Sequence, residues 1–124
     1  MTEPKREDIT VYQGATFRNR FIWKTGDPAV PVDITGYTVR MQIRPSKRSD
    51  RVFANLDNDT LGGITLTDAA NGQFDVRIEA DVTDEFSSFV KAVYDIELEA
   101  PDGTVTRLVE GQVTVSLQVT RPVN

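Results

Sequence analysis

The 124-residue sequence predicts an all-β fold, and three features of the chain support that prediction. Apolar and polar side chains alternate in most segments that are rich in β-branched and aromatic residues, which is the pattern of a sheet with one buried face. Turn-forming residues, chiefly Gly, Asp, Asn and Pro, separate these segments at short intervals. Helical periodicity is confined to one short segment. We therefore predict a protein built from short strands around a single core.

The first half of the chain contains three alternating segments. Residues 9–12 predict a short first strand, and residues 15–24 place their aromatic side chains on one face and their basic ones on the other. Residues 37–44 alternate most regularly and follow the turn-forming residues 33–36. Pro45 ends that strand because proline has no N–H to donate to the ladder. We interpret 33–36 as a turn that leads into a strand and not as a binding loop.

The middle of the chain predicts a hairpin and then one helix. Residues 64–67 and 73–79 alternate, and the Asn-Gly dipeptide at 71–72 indicates a turn that needs a positive φ. Thr83, which is followed by two carboxylates, predicts the N-cap of a short helix near 82–90.

The last part of the chain predicts a closing hairpin. Residues 92–100 and 104–119 form its strands, and the Pro-Asp-Gly sequence at 101–103 forms its turn. Leu108 has the opposite parity to the later apolar residues of its strand, which continue to position 119. A β-bulge at Gly111 would turn both groups toward the core, so we predict a bulge there.

Together these segments predict an antiparallel, immunoglobulin-like β-sandwich of about seven or eight strands. An antibody-type domain with its inter-sheet disulfide is excluded because the chain has no cysteine. One domain is expected over residues 1–124, with arms at 1–8 and 120–124. Residues 45–63 are expected to form a long loop with at most one short edge strand.

The composition restricts the functions that the protein can have. Cysteine and histidine are both absent, so thiolate chemistry, a Ser-His-Asp triad and the commonest metal ligands are excluded. The net charge of −5 argues against a nucleic-acid partner, and the short apolar runs and charged N-terminal residues argue against a membrane span or a secretory signal. We expect a protein that is not an enzyme and that binds no cofactor or metal.

Three groups of residues have a possible functional interpretation beside a structural one. The acidic segment 57–63 partly matches a calcium loop, but a solvated turn is favoured because the ligand spacing is incomplete. Carboxylates at 95, 97 and 99 share one strand face and could hydrolyse a glycoside, although pairing with Arg107 on the next strand is the favoured interpretation. Tyr12, Trp23 and Tyr37 could form an aromatic platform that binds a carbohydrate. For Trp23 and Tyr37, packing in the core is the favoured interpretation.

A local basic patch lies at the start of the long loop. It comprises Arg44, Lys47, Arg48 and Arg51 in an otherwise acidic chain. Such a patch can bind an acidic partner surface or can simply keep a loop soluble.

Several short segments follow one another in a defined order and spacing: QGATF at 13–17, WK at 23–24, VDITGY at 32–37, VRMQIR at 39–44, ITL at 64–66, the turn at Gly72, YDIEL at 94–98, DG at 102–103 and LVEG at 108–111. Their order and spacing resemble the N-terminal domain of phage baseplate upper proteins and the short tail-module proteins similar to it. The resemblance implies an all-β virion structural module, assembled in the host cytoplasm, that docks other virion proteins within a symmetric assembly. An adaptor in the tail or baseplate is the leading hypothesis. A capsid decoration or head-fibre protein, or a carbohydrate-binding module, is the alternative.

Contacts with partners are expected at the two arms and in the long loop. The residues expected to make them are Pro4, Lys5, Arg6, Lys47, Arg48, Arg51, Phe53 and Pro122. The expected partners are other virion proteins and further copies of the chain, with no nucleic acid and no membrane.

Overall fold

Two packed sheets enclose the core in the computed structural model, which describes residues 3–86 and 91–121. The strands are β1 (Lys5–Arg6), β2 (Ile9–Tyr12), β3 (Phe17–Ile22), β4 (Lys24–Thr25), β5 (Val30–Pro31), β6 (Thr38–Arg44), β7 (Ala54–Asp57), β8 (Ile64–Asp68), β9 (Gln73–Ile78), β10 (Lys91–Glu99) and β11 (Val105–Ser116). A 3₁₀ turn at Ala69–Asn71 joins β8 to β9, and helix α1 (Ala80–Asp84) follows β9.

The larger sheet has the strand order β1-β11-β10-β6-β7, and β2 also pairs with β11. The smaller sheet has the order β3-β9-β8, and β4 with β5 forms a separate two-stranded ribbon. This arrangement, three strands facing a longer sheet that contains the closing hairpin, is that of an immunoglobulin-like sandwich, so the predicted fold class is confirmed. One feature differs from the antiparallel prediction: β1 and β2 both run parallel to β11.

The predicted alternation places the apolar faces of both sheets in the core. β6 buries Val39, Met41 and Ile43, and β10 buries every second residue from Ala92 to Leu98. Phe74 of β9 is fully buried and stacks on Phe21 of β3, with ring centroids 5.5 Å apart. The core therefore lies between the two sheets, and the polar faces of β6, β10 and β11 remain on the outside.

The turn at 33–36 is structural, as predicted. The Asp33 carboxylate accepts a hydrogen bond from the Thr35 N–H at 2.9 Å, and Gly36 has a φ of 82°. Ile34 is fully buried, and its N–H donates to the Ala69 carbonyl at 2.9 Å. The turn thus connects the two sheets and starts β6 in the register that buries its apolar face.

Replacing Gly36 with valine is expected to lower the free energy of unfolding by ~1–3 kcal/mol, because a β-branched residue is strained at positive φ. Chemical denaturation of the variant and the wild type measures the difference. An unchanged denaturation midpoint would contradict the assigned turn conformation.

The helix differs from its prediction in position. α1 spans Ala80–Asp84, so Thr83 lies inside it and is not its N-cap. The buried Thr83 hydroxyl accepts from the Gly14 N–H at 3.1 Å and donates to the Ala15 carbonyl at 2.8 Å, which fixes α1 against the turn before β3. The later half of the predicted helix, residues 87–90, lies outside the described residues. Within the described part of the chain, no helix is long and apolar enough to cross a membrane.

The N-terminal segment is not the free arm that the sequence suggested. Lys5 and Arg6 form β1 against β11, and the Glu7 N–H donates to the Glu110 carbonyl at 3.0 Å. The Tyr94 hydroxyl donates to the Glu7 carbonyl. These contacts join residues that are far apart in the sequence, so the local charge of the N-terminal segment could not indicate them.

The bulge in β11 lies at Leu108 and not at Gly111. Ile96 pairs with Val109 and Glu97 pairs with Arg107, so Leu108 is the additional residue. Gly111 has a different role, because a Cβ at this position would lie 2.2 Å from the Glu7 carbonyl oxygen. The close approach of β1 and β2 to β11 therefore requires glycine.

The closing strand ends earlier than predicted. β11 stops at Ser116, and Leu117 and Val119, which the sequence placed on the inward face, are 51% and 91% exposed. Residues 122–124, the end of the second predicted arm, lie outside the described residues.

Candidate functional site: a charged groove on the larger sheet

A groove of about 440 Å³ lies on the outer face of the larger sheet. It is lined by β6, β10 and β11, by Arg6 of β1 and by Lys47 of the loop after β6. We call it the charged groove. Its charged lining residues are Arg6, Arg40, Arg44, Lys47 and Arg107, together with Asp95, Glu97 and Glu110. The lining carries five cations and three carboxylates, and two further carboxylates balance them, because Asp8 contacts Arg6 at 3.3 Å and Glu99 contacts Arg40 at 3.0 Å.

Strand register brings Arg40 to the acidic face of β10. Arg40 pairs directly with Glu97 across the β6–β10 ladder. Its guanidinium donates to the Glu99 carboxylate at 3.0 Å and to the Glu97 carboxylate at 3.5 Å. These carboxylates are therefore occupied by a cation and are not an open catalytic pair.

Arg107 and Lys47 neutralise the other carboxylates of the charged groove. The Arg107 guanidinium lies 3.5 Å from the Asp95 carboxylate and 3.7 Å from that of Glu110. Lys47 Nζ lies 3.1 Å from Glu110 Oε2, and this hydrogen bond is the main reason why the pKa of Glu110 is lowered. The expected pairing of Arg107 with a carboxylate of the neighbouring strand is confirmed.

Asp95 differs from Glu110 in the direction of its pKa shift. Partial burial is the main cause that raises the pKa of Asp95, and the negative charges of Glu97 and Glu110 raise it further, against the opposing effect of Arg107 and Lys47. The folded protein therefore holds the Asp95 proton more tightly than the unfolded chain does. The contribution of Asp95 to stability is greatest below its unfolded pKa and decreases as pH rises through the folded pKa.

Replacing Asp95 with asparagine is expected to remove this loss, so the stability of the variant relative to wild type should rise between pH 3 and pH 7. Asp75 on the smaller sheet offers a matched control. Hydrogen bonds from Arg20, at 2.8 and 3.1 Å, lower the pKa of Asp75. Asp75→Asn should therefore lose stability relative to wild type over the same pH range. Urea denaturation at several pH values measures both trends, and parallel trends would contradict the two assigned directions.

Arg44 anchors the loop that borders the charged groove. Its Nη1 donates to the Ser49 carbonyl at 2.7 Å, while its Nε and Nη2 donate to Gln42 Oε1 at 3.1 and 2.8 Å. The loop is thereby folded back over the end of β6, and Lys47 extends from it to Glu110 on β11. Loop and strands thus form one continuous surface.

Only some of the residues predicted from the sequence to contact partners lie together in the structure. Lys47 and Arg6, which are far apart in the chain, both line the charged groove. The others do not line it. Pro4 and Lys5 lie at the start of β1, and Arg48 lies on the exposed loop. The Arg51 guanidinium lies 4.9 Å from the centre of the Phe53 ring, and Pro122 is outside the described residues. Phe53 also packs against the core, so it is in part a structural residue.

The sequence alone does not indicate Arg40 or Glu110 as site residues. The available signal was the outward face of residues 40, 42 and 44, which carries arginines and a glutamine, beside an acidic strand face at 95, 97 and 99. Complementary charges on two alternating strands indicate that those strands are neighbours.

Of the other candidate groups, the acidic turn and the Trp23–Tyr37 pair have structural roles, whereas Tyr12 is 62% exposed. Asp57 Oδ1 accepts hydrogen bonds from the N–H groups of Asp59, Leu61 and Gly62, so this carboxylate organises the acidic turn. Trp23 and Tyr37 contact each other edge to face at 6.2 Å and pack on the core. Among the described residues, no group of three or more acidic side chains is placed to hold a metal ion.

The fold and its outer groove define the class of the protein as an immunoglobulin-like β-sandwich domain with a charged outer sheet face. The chain belongs to the family of LtfC-like β-sandwich domains, whose model matches residues 3–116. The match ends at Ser116, the last residue of β11. No curated protein matches the sequence. The resemblance to baseplate upper proteins remains a prediction.

Proposed function

We propose that the protein is a phage virion structural component, an adaptor in the tail or baseplate that docks other virion proteins through the charged groove. The observation that carries this proposal is membership of the LtfC-like family over residues 3–116, because LtfC is a phage tail-associated protein. The resemblance to baseplate upper proteins supports the same role. Assembly would take place in the host cytoplasm, and the working location would be the virion.

The ion pairs of the charged groove support a binding role. Arg40, Lys47 and Arg107 contact its carboxylates, an arrangement that favours ion pairing over the free acid–base pair that a glycosidase uses. A polar, partly neutralised sheet face of this kind can dock a protein with little cost of conformational change. We therefore propose a protein-binding role without enzymatic activity, in an assembly that contains several copies of the chain.

Mass spectrometry of purified particles of the phage that encodes the chain tests the proposal. The protein is expected in the particles in a fixed ratio to known virion proteins. Disrupting the particles and separating tails from capsids then distinguishes the tail adaptor from the capsid decoration protein. Absence of the protein from gradient-purified particles, with abundant protein in the infected cells, would overturn the virion assignment.

A further inference from the structure

We propose that the free edge of β3 adds a β-strand from another virion protein, and that this strand carries a carboxylate opposite Arg18. The inference rests on the proposed docking role and adds a second surface to it, on the smaller sheet and apart from the charged groove. It follows from the hydrogen-bond register of β3, from the regularity of its edge and from the ion pairs beside Arg18.

The register of the smaller sheet defines which backbone groups of β3 point to its free edge. β3 pairs with β9 in one continuous antiparallel ladder. Just beyond that ladder, the Trp23 N–H donates to the Gly72 carbonyl at 2.9 Å. Hydrogen-bonded and non-bonded pairs alternate in an antiparallel ladder. The N–H and C=O groups of Arg18, Arg20 and Ile22 therefore point away from β9.

A hydrogen bond on the other side of β9 supports this register. The Arg77 N–H donates to the Gly63 carbonyl at 2.7 Å, toward β8, and Arg77 is the residue opposite Arg18. In the described part of the chain, the backbone groups of Arg18, Arg20 and Ile22 have no hydrogen-bond partner. All three residues are exposed. The edge of β3 thus presents donors and acceptors at the spacing that an added strand uses.

The other edges of the two sheets are shorter or interrupted. β7 has four residues, and a parallel bridge joins Asp57 at its end to Gly63, just before β8. The register of β8 shifts between Thr65 and Asp68, and residues 7–8 separate β1 from β2. Short strands and irregular registers are features that hinder strand addition. β3 has six residues and a regular register without proline or lysine, so its edge is the best suited to receive a strand.

The ion pairs on the outer face of the smaller sheet leave Arg18 without a carboxylate. Arg18 lies directly opposite Arg77 in the ladder, and like charges in such a pair repel each other. Arg77 Nε lies 2.7 Å from Glu79 Oε1, and Arg20 Nε lies 2.8 Å from Asp75 Oδ1. Among the described residues, Arg18 takes part in no ion pair.

Asp68 is the remaining acidic residue of β3, β8 and β9, and it does not neutralise Arg18. It pairs with Gln73, toward the other end of β9 from Arg77, and accepts a hydrogen bond from Asn71 Nδ2 at 3.0 Å. A carboxylate on an added strand therefore meets an unpaired guanidinium and offsets the repulsion between Arg18 and Arg77.

The side chains along the edge also disfavour a second copy of β3 as the added strand. Antiparallel pairing of two β3 strands in the registers of greatest overlap places an arginine, Arg18 or Arg20, opposite an arginine of the other copy. Ile22, which is 48% exposed, instead fits an apolar side chain. The strand that fits the edge therefore has an acidic residue opposite Arg18 and an apolar residue opposite Ile22.

Hydrogen exchange measured by NMR tests the free edge and the added strand together. In the free protein, the N–H groups of Arg18, Arg20 and Ile22 should exchange rapidly, while those of Asn19 and Phe21 should be protected by the ladder. The probe is the peptide Val-Thr-Thr-Thr-Glu-Val. Antiparallel pairing with β3 places its glutamate opposite Arg18 and its first valine opposite Ile22. At saturation, this peptide should protect the three edge N–H groups.

Ile22→Pro tests the dependence of binding on the backbone. It removes an N–H that points away from β9, and proline is tolerated at such positions of an edge strand. The variant should bind the peptide about tenfold more weakly or worse, since strand addition depends on main-chain hydrogen bonds. Ile22→Thr is the matched control, because it keeps the N–H and should weaken binding no more than about twofold. Far-UV circular dichroism checks the fold of both variants.

Arg18→Gln tests the charge, with the peptide Val-Thr-Thr-Thr-Gln-Val as the ligand control. The variant should bind the glutamate peptide about threefold more weakly and should bind the glutamine peptide as the wild type does. Arg48→Gln removes a charge from the exposed loop after β6 and should change neither affinity. This comparison keeps the proposal testable if Ile22→Pro does not fold.

Several results would overturn the proposal. They are no binding of the glutamate peptide to wild type, binding that leaves the edge N–H groups unprotected, equal binding by folded Ile22→Pro and Ile22→Thr, or equal weakening of both peptides by Arg18→Gln. Self-association of the wild type that Ile22→Pro abolishes would identify a second copy of the chain as the occupant and would also overturn it. Any of these results with the protein present in virions overturns only this inference, whereas absence from virions overturns the proposed function.

Discussion

Replacing Gly72 with alanine is expected to lower the free energy of unfolding by about 3–5 kcal/mol, because the new methyl group adds backbone strain to severe overlap. Gly72 has a φ of 71°, and a Cβ there would lie 2.6 Å from the Trp23 carbonyl oxygen and 2.7 Å from that of Val32. Both oxygens belong to backbone that is held in place: the Trp23 N–H donates to the Gly72 carbonyl at 2.9 Å, and the Val32 N–H donates to the Trp23 carbonyl at 3.0 Å. Urea denaturation of the variant measures the loss.

Gly62→Ala is the control that separates strain from overlap. Gly62 has a similar φ of 76°, but a Cβ there would have no neighbouring atom within 4 Å. Its replacement should cost only ~1–2 kcal/mol, since conformational strain is the single unfavourable contribution. Equal losses in the two variants would contradict the close packing of the 23 and 32 segments on Gly72.

The sequence correctly predicts the positive φ of Gly72 and the buried faces of the strands, because both depend on local chemistry. Alternation over 37–44 identifies the buried residues of β6, and an Asn-Gly dipeptide requires positive φ wherever it forms a turn. The fold class follows from such local signals. The exact role of Gly72 as a packing surface does not, because its neighbours at 23 and 32 are about forty or more residues away in the chain.

The charged groove could be predicted only in part, for the same physical reason. The basic patch at 44–51 is visible in the sequence, but the partners that convert it into a groove come from β10, β11 and β1. Lys47 contacts Glu110 only because β6 and β11 both flank β10.

The position of the helix cannot be predicted from local sequence for a related reason. Thr83 has the residue type of an N-cap, yet its hydroxyl is bonded to the turn at 14–15. Tertiary contacts override the local preference there.

The parallel attachment of β1 and β2 to β11 was the least predictable part of the fold. Charged residues at the start of a chain usually indicate solvent exposure, whereas here the backbone of Glu7 and the side chain of Asp8 both contact the larger sheet. The Gln112 N–H donates to Asp8 Oδ1 at 2.9 Å, and the Tyr94 hydroxyl donates to the Glu7 carbonyl. Gly111, which lies opposite Tyr94 in the ladder, provides the space for that carbonyl.

Gly111→Ala is therefore expected to lower the free energy of unfolding by about 2–4 kcal/mol, because a Cβ only 2.2 Å from the Glu7 oxygen must displace the Glu7 backbone. Tyr94→Phe in the wild type should cost roughly 1–2 kcal/mol through loss of the hydrogen bond to Glu7. The two losses should not add. Once alanine has displaced Glu7, the Tyr94 hydroxyl has no bond left to lose, and Tyr94→Phe should then have little effect. Denaturation of both single variants and the double variant gives this coupling directly. Additive losses would show that Tyr94 and Gly111 act on the fold separately and that no shared contact with Glu7 holds β1 and β2 on β11.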